Sequence, residues 1–331
     1  MLTKWVHRHA KVLRLLQIAN HRSSHSKIIP TGGGLGILLA SSFVGLGFTL
    51  LLGWEGISYI LGLAALLAAL GLRDDMVGCS AWIRLGMQVL VCVGLLITLG
   101  DLPVLEFGVD SKIHLTGWVL FGFLLLAGVW WINLFNFMDG IDGIAATQAI
   151  FMLLAAAGFI AWFQAQSISS PVWLLMLFIT AATIGFLFFN WPPAKIFMGN
   201  GCSSWLAFMI FYLALLSIQE GLLSYYVWLV LAAAFVADAT LTLLKRMICG
   251  ERWYEAHRSH AYQRVAHSWR SVPITGHRFV TLVFIGINLL WIAPWALASL
   301  VWPQWQLIWV LLAYIPLACV WTWVTVRLPA T

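Results

Sequence analysis

The chain contains very little charge. Only 9% of its 331 residues are Asp, Glu, Lys or Arg, whereas 62% are hydrophobic. A soluble globular domain has roughly 25% charged residues, so this composition excludes an ordinary soluble domain and indicates a protein of the lipid bilayer. Because the apolar runs are continuous and only helices or closed barrels satisfy the backbone within lipid, the sequence predicts membrane-spanning α-helices.

Other features are also missing. The five cysteines are scattered and form no C-x-x-C pair, which argues against a disulfide framework and a cysteine zinc site. Residues 1–30 are basic and lack an apolar core with a small-residue cleavage site, so no cleavable signal peptide is expected. Without an internal repeat or second domain, we expect one integral membrane domain over 1–331, with a basic segment at 1–34 and a large loop at 244–278.

The apolar runs predict ten membrane spans. They lie near residues 35–53, 56–72, 85–100, 117–135, 145–165, 172–189, 203–217, 222–243, 279–301 and 305–326. With a cytoplasmic N-terminus, the cytoplasmic segments contain every Lys and Arg except Lys112. Because cytoplasmic loops carry an excess of Lys and Arg, this supports an all-α, polytopic bundle of about ten helices with both termini cytoplasmic.

Six of the twelve acidic residues and four histidines fall on the same predicted side. These residues are Asp74, Asp75, Asp139, Asp142, Glu251, Glu255, His257, His260, His267 and His277. Charged residues are common in loops, and for an isolated residue such as Glu251 that simple explanation is the better one. The pair Asp74–Asp75 and the segment NLFNFMDGIDG (133–143) call for a further explanation.

Adjacent carboxylates repel each other at a membrane boundary unless a cation or a donor lies nearby. Asp139 and Asp142 are three residues apart, so on a helical turn they would face the same side. Such oxygen ligands suit Mg²⁺, which prefers one or two carboxylates together with substrate phosphates. The alternative is that Asp139 and Asp142 are solvated helix-capping residues.

Basic side chains on the same side suggest a phosphate-bearing substrate. They include Lys27, Arg73, Lys195, Arg246 and Arg258. Part of this excess reflects membrane orientation alone. The segment HRSH (257–260) lacks the further ligands of a zinc site, so His257 and His260 are better candidates for phosphate or sugar contacts.

Six segments in order resemble the polyprenyl-phosphate N-acetylhexosamine-1-phosphate transferase superfamily. They are NHRSSH with PTGGG (20–34), RDD with Arg84 and Gln88, NLFNFMDGIDG (133–143), FNWPPAKIFMGN (189–200), Asp238 within DATLTLLKR, and HRSHAYQ (257–263). The segments cover nearly the whole chain. HRSHAYQ and FNWPPAKIF favour the branch that initiates O-antigen and common-antigen synthesis.

The resemblance implies a bundle of ten or eleven helices in the bacterial inner membrane, with a cytoplasmic active site. The implied reaction transfers a sugar 1-phosphate from a UDP-N-acetylhexosamine to undecaprenyl phosphate, with Mg²⁺ or alternatively Mn²⁺ as cofactor. By position, Asp74, Asp75 and Asp139 would be catalytic, and Asp139, Asp142 and Asn200 would bind the metal. The implied substrate contacts are Lys27, Asn136, Asn190, Lys195, Phe197, His257, Arg258 and His260.

Three departures from the family pattern bear on activity. Asn200 and Cys202 stand where the family has Asp and Gly, and loss of that Asp should weaken binding of a hard cation. Thr31 occupies a position where Arg usually precedes the glycines. The chain also begins about where the family's first helix would end.

Two other functions stay open. A transporter is the default for a ten-helix chain, but transporters bind substrate near the bilayer midplane, and here only Asp238 approaches a span. Asn200 motivates the other alternative, a catalytically impaired homologue that binds lipid or a partner. The transferred sugar, the glycan pathway and the oligomeric state, including a homodimer, also stay open, and no nucleic-acid partner is expected.

Overall fold

The structure, a computed structural model, describes residues 2–9, 11–12, 15–17, 29–107, 114–251, 258–268 and 273–328. Within these residues it is a bundle of α-helices with two short β-hairpins. The first half contains α1 (Leu2–His9), β1 (Leu16–Gln17), β2 (Ile29–Pro30), α2 (Leu35–Leu52), α3 (Glu55–Val77), α4 (Ala81–Leu99), β3 (Leu105–Glu106), β4 (His114–Leu115), α5 (Gly117–Met138) and α6 (Ile144–Phe163).

The second half continues the same helical pattern. It contains α7 (Pro171–Asn190), α8 (Asn200–Gln219), α9 (Tyr225–Leu231), α10 (Ala233–Ile248), α11 (Ala261–Ser268), α12 (Pro273–Ile287), α13 (Ala293–Val301) and α14 (Gln306–Arg327). A π-helix at Asn288–Ile292 joins α12 to α13, and short 3-10 helices occur at Ala165–Ser167 and Pro303–Trp305.

The predicted membrane spans are present. In the described residues, eight helices are long and apolar enough to cross a bilayer, and the bent pair α9 and α10 forms a ninth candidate. The apolar helix α2 coincides with the remaining predicted span, 35–53, but it is shorter and is not one of these nine candidates. The expectation of an all-helical, polytopic membrane protein is therefore confirmed.

Serine caps and glycines define several helix ends. Ser80, Ser170 and Ser224 each accept a hydrogen bond from the backbone N–H three residues later, at the starts of α4, α7 and α9. These bonds satisfy amides that have no partner within the helix. Gly53 ends α2 in the left-handed conformation, at φ +66°, which a glycine adopts without steric cost.

Helix α8 forms the centre of the bundle, whereas α14 lies at its edge. In the apolar stretch of α8, 94% of the residues are buried within the protein, compared with 11% in that of α14. Gly71 of α3 and Gly201 of α8 allow their backbones to meet, because a side chain at either glycine would overlap the other helix. The N-terminus of α8 is thereby held against the last turns of α3.

One predicted span is broken. Residues 222–243 were expected to form a continuous helix, but α9 and α10 meet at an angle of 72° around Ala232. Side-chain donors from other helices satisfy carbonyls near this bend. Gln148 Nε2 donates to Leu231 O (3.1 Å) and Tyr314 Oη donates to Leu229 O (2.9 Å). Backbone groups freed within a membrane need such partners, so the bend depends on tertiary contacts.

The two ends of the bundle differ in charge. We call the end where α3, α5, α7 and α10 finish and α6, α8 and α12 begin the site end. Every described Lys and Arg belongs to the site end, whereas the described charged residues of the opposite end are Glu55, Asp101, Glu106 and Glu220. The predicted charge segregation is thus present, and the cytoplasmic orientation of the site end stays a prediction.

Candidate active site

Asp74 lies in the last turns of α3 and has a charged partner. The helix extends to Val77, so Asp74 and Asp75 stand on α3 and not in the predicted loop. Arg84 of α4 donates from a terminal guanidinium nitrogen to Asp74 Oδ2 (3.2 Å), and Cys79 donates its backbone N–H to Asp74 Oδ1 (2.7 Å). The charge of Asp74 is therefore balanced by Arg84, and its carboxylate is fixed in place.

Asp75 has no such cation within the part of the chain that the structure describes. Its Oδ1 accepts the backbone N–H of Asn200 at the start of α8 (3.2 Å). Its Oδ2 is buried and has no hydrogen-bond partner among the described residues. Gly199, at φ +89°, packs where a side chain would strike this oxygen. A buried carboxylate oxygen without a partner carries a large desolvation cost, so it marks a place for a cation, a proton or a substrate group.

Asp139 brings a third carboxylate to the same place. It directly follows α5, and its backbone N–H donates to Asn136 O (3.2 Å). Burial, together with the charges of Asp75 and Asp142, raises the pKa of Asp139 well above its usual range. Asn136 Oδ1 accepts the hydroxyl hydrogen of Ser203 on α8 (3.2 Å), which holds the end of α5 against α8.

The segment from Asp139 to Gly143 is a loop, so the expected helical turn is wrong. Gly143 has φ +78°, and its backbone N–H donates to Asn190 Oδ1 (2.9 Å). This contact fixes the loop before α6 begins at Ile144. Asp139 and Asp142 consequently do not share a helical face, and their surroundings differ.

Asp142 belongs to this loop and is buried, with 1% of its surface exposed. Its Oδ2 accepts the backbone N–H of Ala194 (2.9 Å), and its Oδ1 lies 3.4 Å from His277 Nδ1. The hydroxyl of Thr281 donates to the carbonyl of Asp142 (2.8 Å). These contacts join the loop to α12 and to the segment after α7, which is a positioning function.

Asn200 is the first residue of α8 and does not lie in a loop. Its side-chain nitrogen donates to Asp74 Oδ2 (3.3 Å) while its backbone binds Asp75. A carboxylate here would face Asp74 directly, whereas the neutral amide supplies a hydrogen-bond donor. The Asn found at this position is therefore compatible with its neighbours Asp74 and Asp75.

The segment 190–198 connects the site to the N-terminal hairpin. Asn190 Nδ2 donates to Ile196 O (3.0 Å), so the side chain of Asn190 uses both its nitrogen and its oxygen to link two loops. Phe197 exchanges backbone hydrogen bonds with Pro30 and Gly33 (2.8 Å each) and is partly exposed. Lys195 is exposed and free to reach an anionic ligand.

Asp238 organises α11, a role that the sequence did not predict. Its carboxylate accepts the backbone N–H groups of Ala261 (3.0 Å) and Tyr262 (2.9 Å), the first residues of α11. Thr242 also donates to this carboxylate (3.2 Å). Asp238 is 6% exposed and acts as an N-terminal cap supplied by another helix.

Helix α11 is held over the loop 139–143 by two further residues. The hydroxyl of Tyr262 donates to Phe137 O (2.8 Å) and packs on Gly140, where any side chain would overlap it. Arg264 donates to the carbonyls of Thr325 and Leu328 (3.2 and 2.7 Å) at the end of α14. The end of α5 and the end of α14, which are remote from each other in sequence, thus fix α11.

The predicted basic and histidine contacts are only partly described. Lys27 and His257 lie outside the described residues. Arg258 is half-buried, and this burial lowers the pKa of its guanidinium. His260 is buried, with Nδ1 3.4 Å from Asp238 Oδ1 and its ring 6.4 Å from that of Phe137. Of the two that are described, Arg258 is the more exposed.

The carboxylates fit a magnesium ion that is held mainly by its substrate. Within the described ranges, no group of three or more His, Cys, Asp or Glu side chains forms a metal site. Asp75 has a buried, unpartnered oxygen, and its charge contributes, after burial, to the raised pKa of Asp139, so the two carboxylates face the same place. Magnesium characteristically uses one or two carboxylates and completes its shell with phosphates and water.

Fold and site together define a multi-pass membrane protein with a carboxylate site at the basic end of its helix bundle. Residues 57–218, which include Asp74, Asp75, Asp139, Asp142 and Asn200, match the glycosyl transferase family 4. The chain belongs to this family, the superfamily of polyprenyl-phosphate N-acetylhexosamine-1-phosphate transferases.

Curated relatives show the same relationship. The chain is 28% identical over 275 residues to a probable undecaprenyl-phosphate N-acetylglucosaminyl 1-phosphate transferase of Bacillus subtilis, covering 80% of this chain and 73% of the relative. It is 31% identical over 231 residues to the phospho-N-acetylmuramoyl-pentapeptide-transferase of Streptococcus uberis, covering 65% and 66%. The corresponding enzyme of Streptococcus equi subsp. zooepidemicus is 32% identical over 233 residues, with the same coverage.

Proposed function

We propose that the protein transfers the sugar 1-phosphate of a UDP-N-acetylhexosamine to undecaprenyl phosphate and releases UMP. The observation that carries this proposal is the gathering of Asp74, Asp75 and Asp139 at the basic end of the bundle, within the segment that matches the family. The names of the relatives, which act on undecaprenyl phosphate or transfer a phospho-sugar, support it. The product would begin an O-antigen or related envelope glycan, on the cytoplasmic face of a bacterial inner membrane.

The proposed reaction is an in-line displacement at phosphorus, and Asp74 and Asp75 have different functions in it. An oxygen of the acceptor phosphate bonds to the β-phosphorus of the sugar nucleotide. The bond from that phosphorus to the bridging oxygen breaks, and UMP leaves with the electron pair. Asp75, which has no cationic partner among the described side chains, takes the proton of a singly protonated acceptor phosphate. Asp74, fixed by Arg84, holds the end of α3 in position.

The substrate groups are bound by the surrounding loops. Asn190 and Asp142 fix the loop 139–143 and the segment 190–198 relative to each other, and Phe197 offers a partly exposed ring to the nucleotide base. Lys195 and Arg258 supply positive charge for the diphosphate. The membrane brings the acceptor lipid to the site laterally.

A bound Mg²⁺ or Mn²⁺ would neutralise the charge that develops on the diphosphate. Asp139 is the residue that would hold it, while Asp75 remains the base for the acceptor phosphate. Asp142 and Asn200, predicted as metal ligands, use side-chain atoms in bonds to Ala194 and Asp74. The proposal therefore assigns those two residues to positioning.

The purified protein in nanodiscs tests this function directly. We expect UMP release only when undecaprenyl phosphate, a divalent cation and one of several UDP-N-acetylhexosamines are all present. The panel includes the N-acetylglucosamine, N-acetylfucosamine and N-acetylquinovosamine nucleotides. Asp75→Asn, which retains the shape of the side chain, should abolish release. Turnover that is absent with every sugar, or that needs no cation, would refute the proposal.

A catalytically impaired homologue is the second candidate, and Asn200 is the observation that favours it. Here Asn200→Asp would face Asp74 and add a carboxylate near Asp75. If the protein has lost metal affinity, Asn200→Asp should tighten Mn²⁺ binding measured by electron paramagnetic resonance and raise turnover. Unchanged binding and turnover would show that Asn200 is compatible with full activity.

A further inference from the structure

Two buried side-chain amides link three membrane spans. Gln148 of α6 and Asn288, the first residue of the π-helix, are 1% and 2% exposed, and we call this pair the amide clamp. Asn288 Nδ2 donates to Gln148 Oε1 (2.7 Å), and Gln148 Nε2 donates to Leu231 O at the end of α9 (3.1 Å). The direction of both bonds is fixed, because a backbone carbonyl can only accept a hydrogen bond and Gln148 therefore presents its oxygen to Asn288.

The carbonyl of Leu231 loses its helical partner at the bend between α9 and α10. In a continuous α-helix, the backbone N–H of Phe235 would donate to Leu231 O. Here the N–H of Phe235 donates to Ala232 O instead (3.1 Å), and α10 leaves α9 at an angle of 72°. Gln148 supplies the donor that the broken helix no longer provides, as side chains of neighbouring helices do where a membrane span is interrupted.

The π-helix places Asn288 at this bend. The backbone N–H of Ala293 donates to Asn288 O, five residues back, so the span is irregular at Asn288. The π-helix contacts α6, α9 and α10. Asn288 Oδ1 is buried and has no hydrogen-bond partner among the described residues. An apolar side chain would avoid this desolvation cost, so the amide at this position indicates a role beyond packing.

The helices that the amide clamp joins both lead to the candidate active site. Gln148 is the fifth residue of α6, which begins directly after the loop 139–143. Leu231 precedes α10, and α10 carries Asp238, whose carboxylate accepts the first two backbone N–H groups of α11. Helix α11 in turn packs on the same loop through Tyr262. The angle at the bend therefore sets where α10 presents Asp238 and where α11 lies.

We propose that Gln148 and Asn288 are positioning residues, which fix the bend between α9 and α10 and thereby hold α11 over the loop 139–143. The inference rests on the proposed function, because that function assigns the diphosphate of the sugar nucleotide to Arg258, just before α11. Asn288 orients the amide of Gln148, and Gln148 holds the carbonyl of Leu231 in its bent position. Without the amide clamp, the two helices straighten and α11 moves away from the loop.

Two substitutions break the amide clamp with little change in shape. Gln148→Met keeps the length of the side chain but removes its donor and its acceptor, so Leu231 O loses its partner. Asn288→Leu leaves the bond from Gln148 to Leu231 possible and should have a smaller effect. Thr180→Val on α7 is the matched control, because Thr180 is also 2% exposed and its hydroxyl donates to a carbonyl of its own helix (2.8 Å).

Hydrogen exchange in nanodiscs tests the amide clamp without any turnover. In Gln148→Met, we expect the backbone amides of 258–268 to exchange about tenfold faster than in the wild type, equivalent to about 1.4 kcal/mol of opening free energy. Exchange should increase less in Asn288→Leu and should not increase in Thr180→Val. Unchanged protection in Gln148→Met, or an equal loss in Thr180→Val, would overturn the proposal, whether or not the protein turns over a sugar nucleotide.

The double variant Gln148→Met/Asn288→Leu distinguishes positioning from stability alone. Because both amides are replaced by apolar side chains, neither is left unpaired, and the melting temperature lost in Gln148→Met should return. The bend still lacks its donor, so fast exchange of 258–268 should persist, and the KM for the sugar nucleotide should stay about tenfold above that of the wild type. Recovery of protection or of KM together with the melting temperature would overturn the proposal.

Discussion

Asp238→Ala should release α11 from the site while leaving the helix bundle folded. The wild-type carboxylate is buried and accepts the backbone N–H groups of Ala261 and Tyr262. Hydrogen bonds to a charged group contribute about 1.5–3 kcal/mol each, so the two together are worth about 3–6 kcal/mol. Opening of α11 should become about 10²–10⁴ times more frequent, since each 1.4 kcal/mol is a factor of ten.

Hydrogen exchange followed by mass spectrometry measures this opening. We expect residues 258–268 to lose protection in Asp238→Ala, while α3, α5 and α8 keep theirs. Thr242→Val is the control, because it removes one donor to Asp238 but leaves both α11 amides bonded. Unchanged protection of α11 in Asp238→Ala would refute the assignment of Asp238 as its cap.

Substitution of Asp238 also distinguishes an enzyme from a transporter. A transporter would use an intramembrane carboxylate for ion coupling, whereas the contacts of Asp238 are those of a helix cap. If Asp238→Ala abolished an ion-coupled flux and Asp139→Ala did not, the transporter would be the better account.

Three further substitutions probe the site. Asp139→Asn should stabilise the metal-free protein against heat, because burial raises the pKa of Asp139 and opposes its ionisation. The stabilisation should increase as the pH rises above the ordinary pKa of Asp. A difference in melting temperature between variant and wild type that is equal at pH 5 and pH 8 would contradict this. Gly140→Ala should lower activity by displacing Tyr262, with partial recovery in the double variant carrying Tyr262→Phe; a lack of any loss would exclude this contact. Arg84→Ala should cost only about 0.2–1 kcal/mol of stability in denaturant, because Arg84 is 40% exposed, and a larger loss would show a further role.

The membrane spans could be predicted because hydropathy is a local property of the sequence. The positions of α2, α5, α6 and α14 follow directly from apolar runs bounded by turn residues and charges. The bend between α9 and α10 could not be foreseen. It has no Pro or Gly of its own, and its exposed carbonyls are satisfied by Gln148 and Tyr314, far away in the sequence.

The residues of the candidate site could be predicted from the sequence, but the contacts between them could not. Charge segregation placed Asp74, Asp75 and Asp139 at one end of the bundle. Nothing local indicates that Arg84 neutralises only Asp74, because that depends on how α3 packs on α4. Likewise, the loop form of 139–143 depends on Asn190, which belongs to another helix.

Exchange of radiolabelled UMP into the sugar nucleotide tests the central claim most directly, since it requires the transfer to run in both directions. We expect label to appear in one UDP-N-acetylhexosamine only when undecaprenyl phosphate and Mg²⁺ are present, and to disappear in Asp75→Asn. Exchange without undecaprenyl phosphate, or none with any sugar nucleotide in the wild-type protein, would contradict the account.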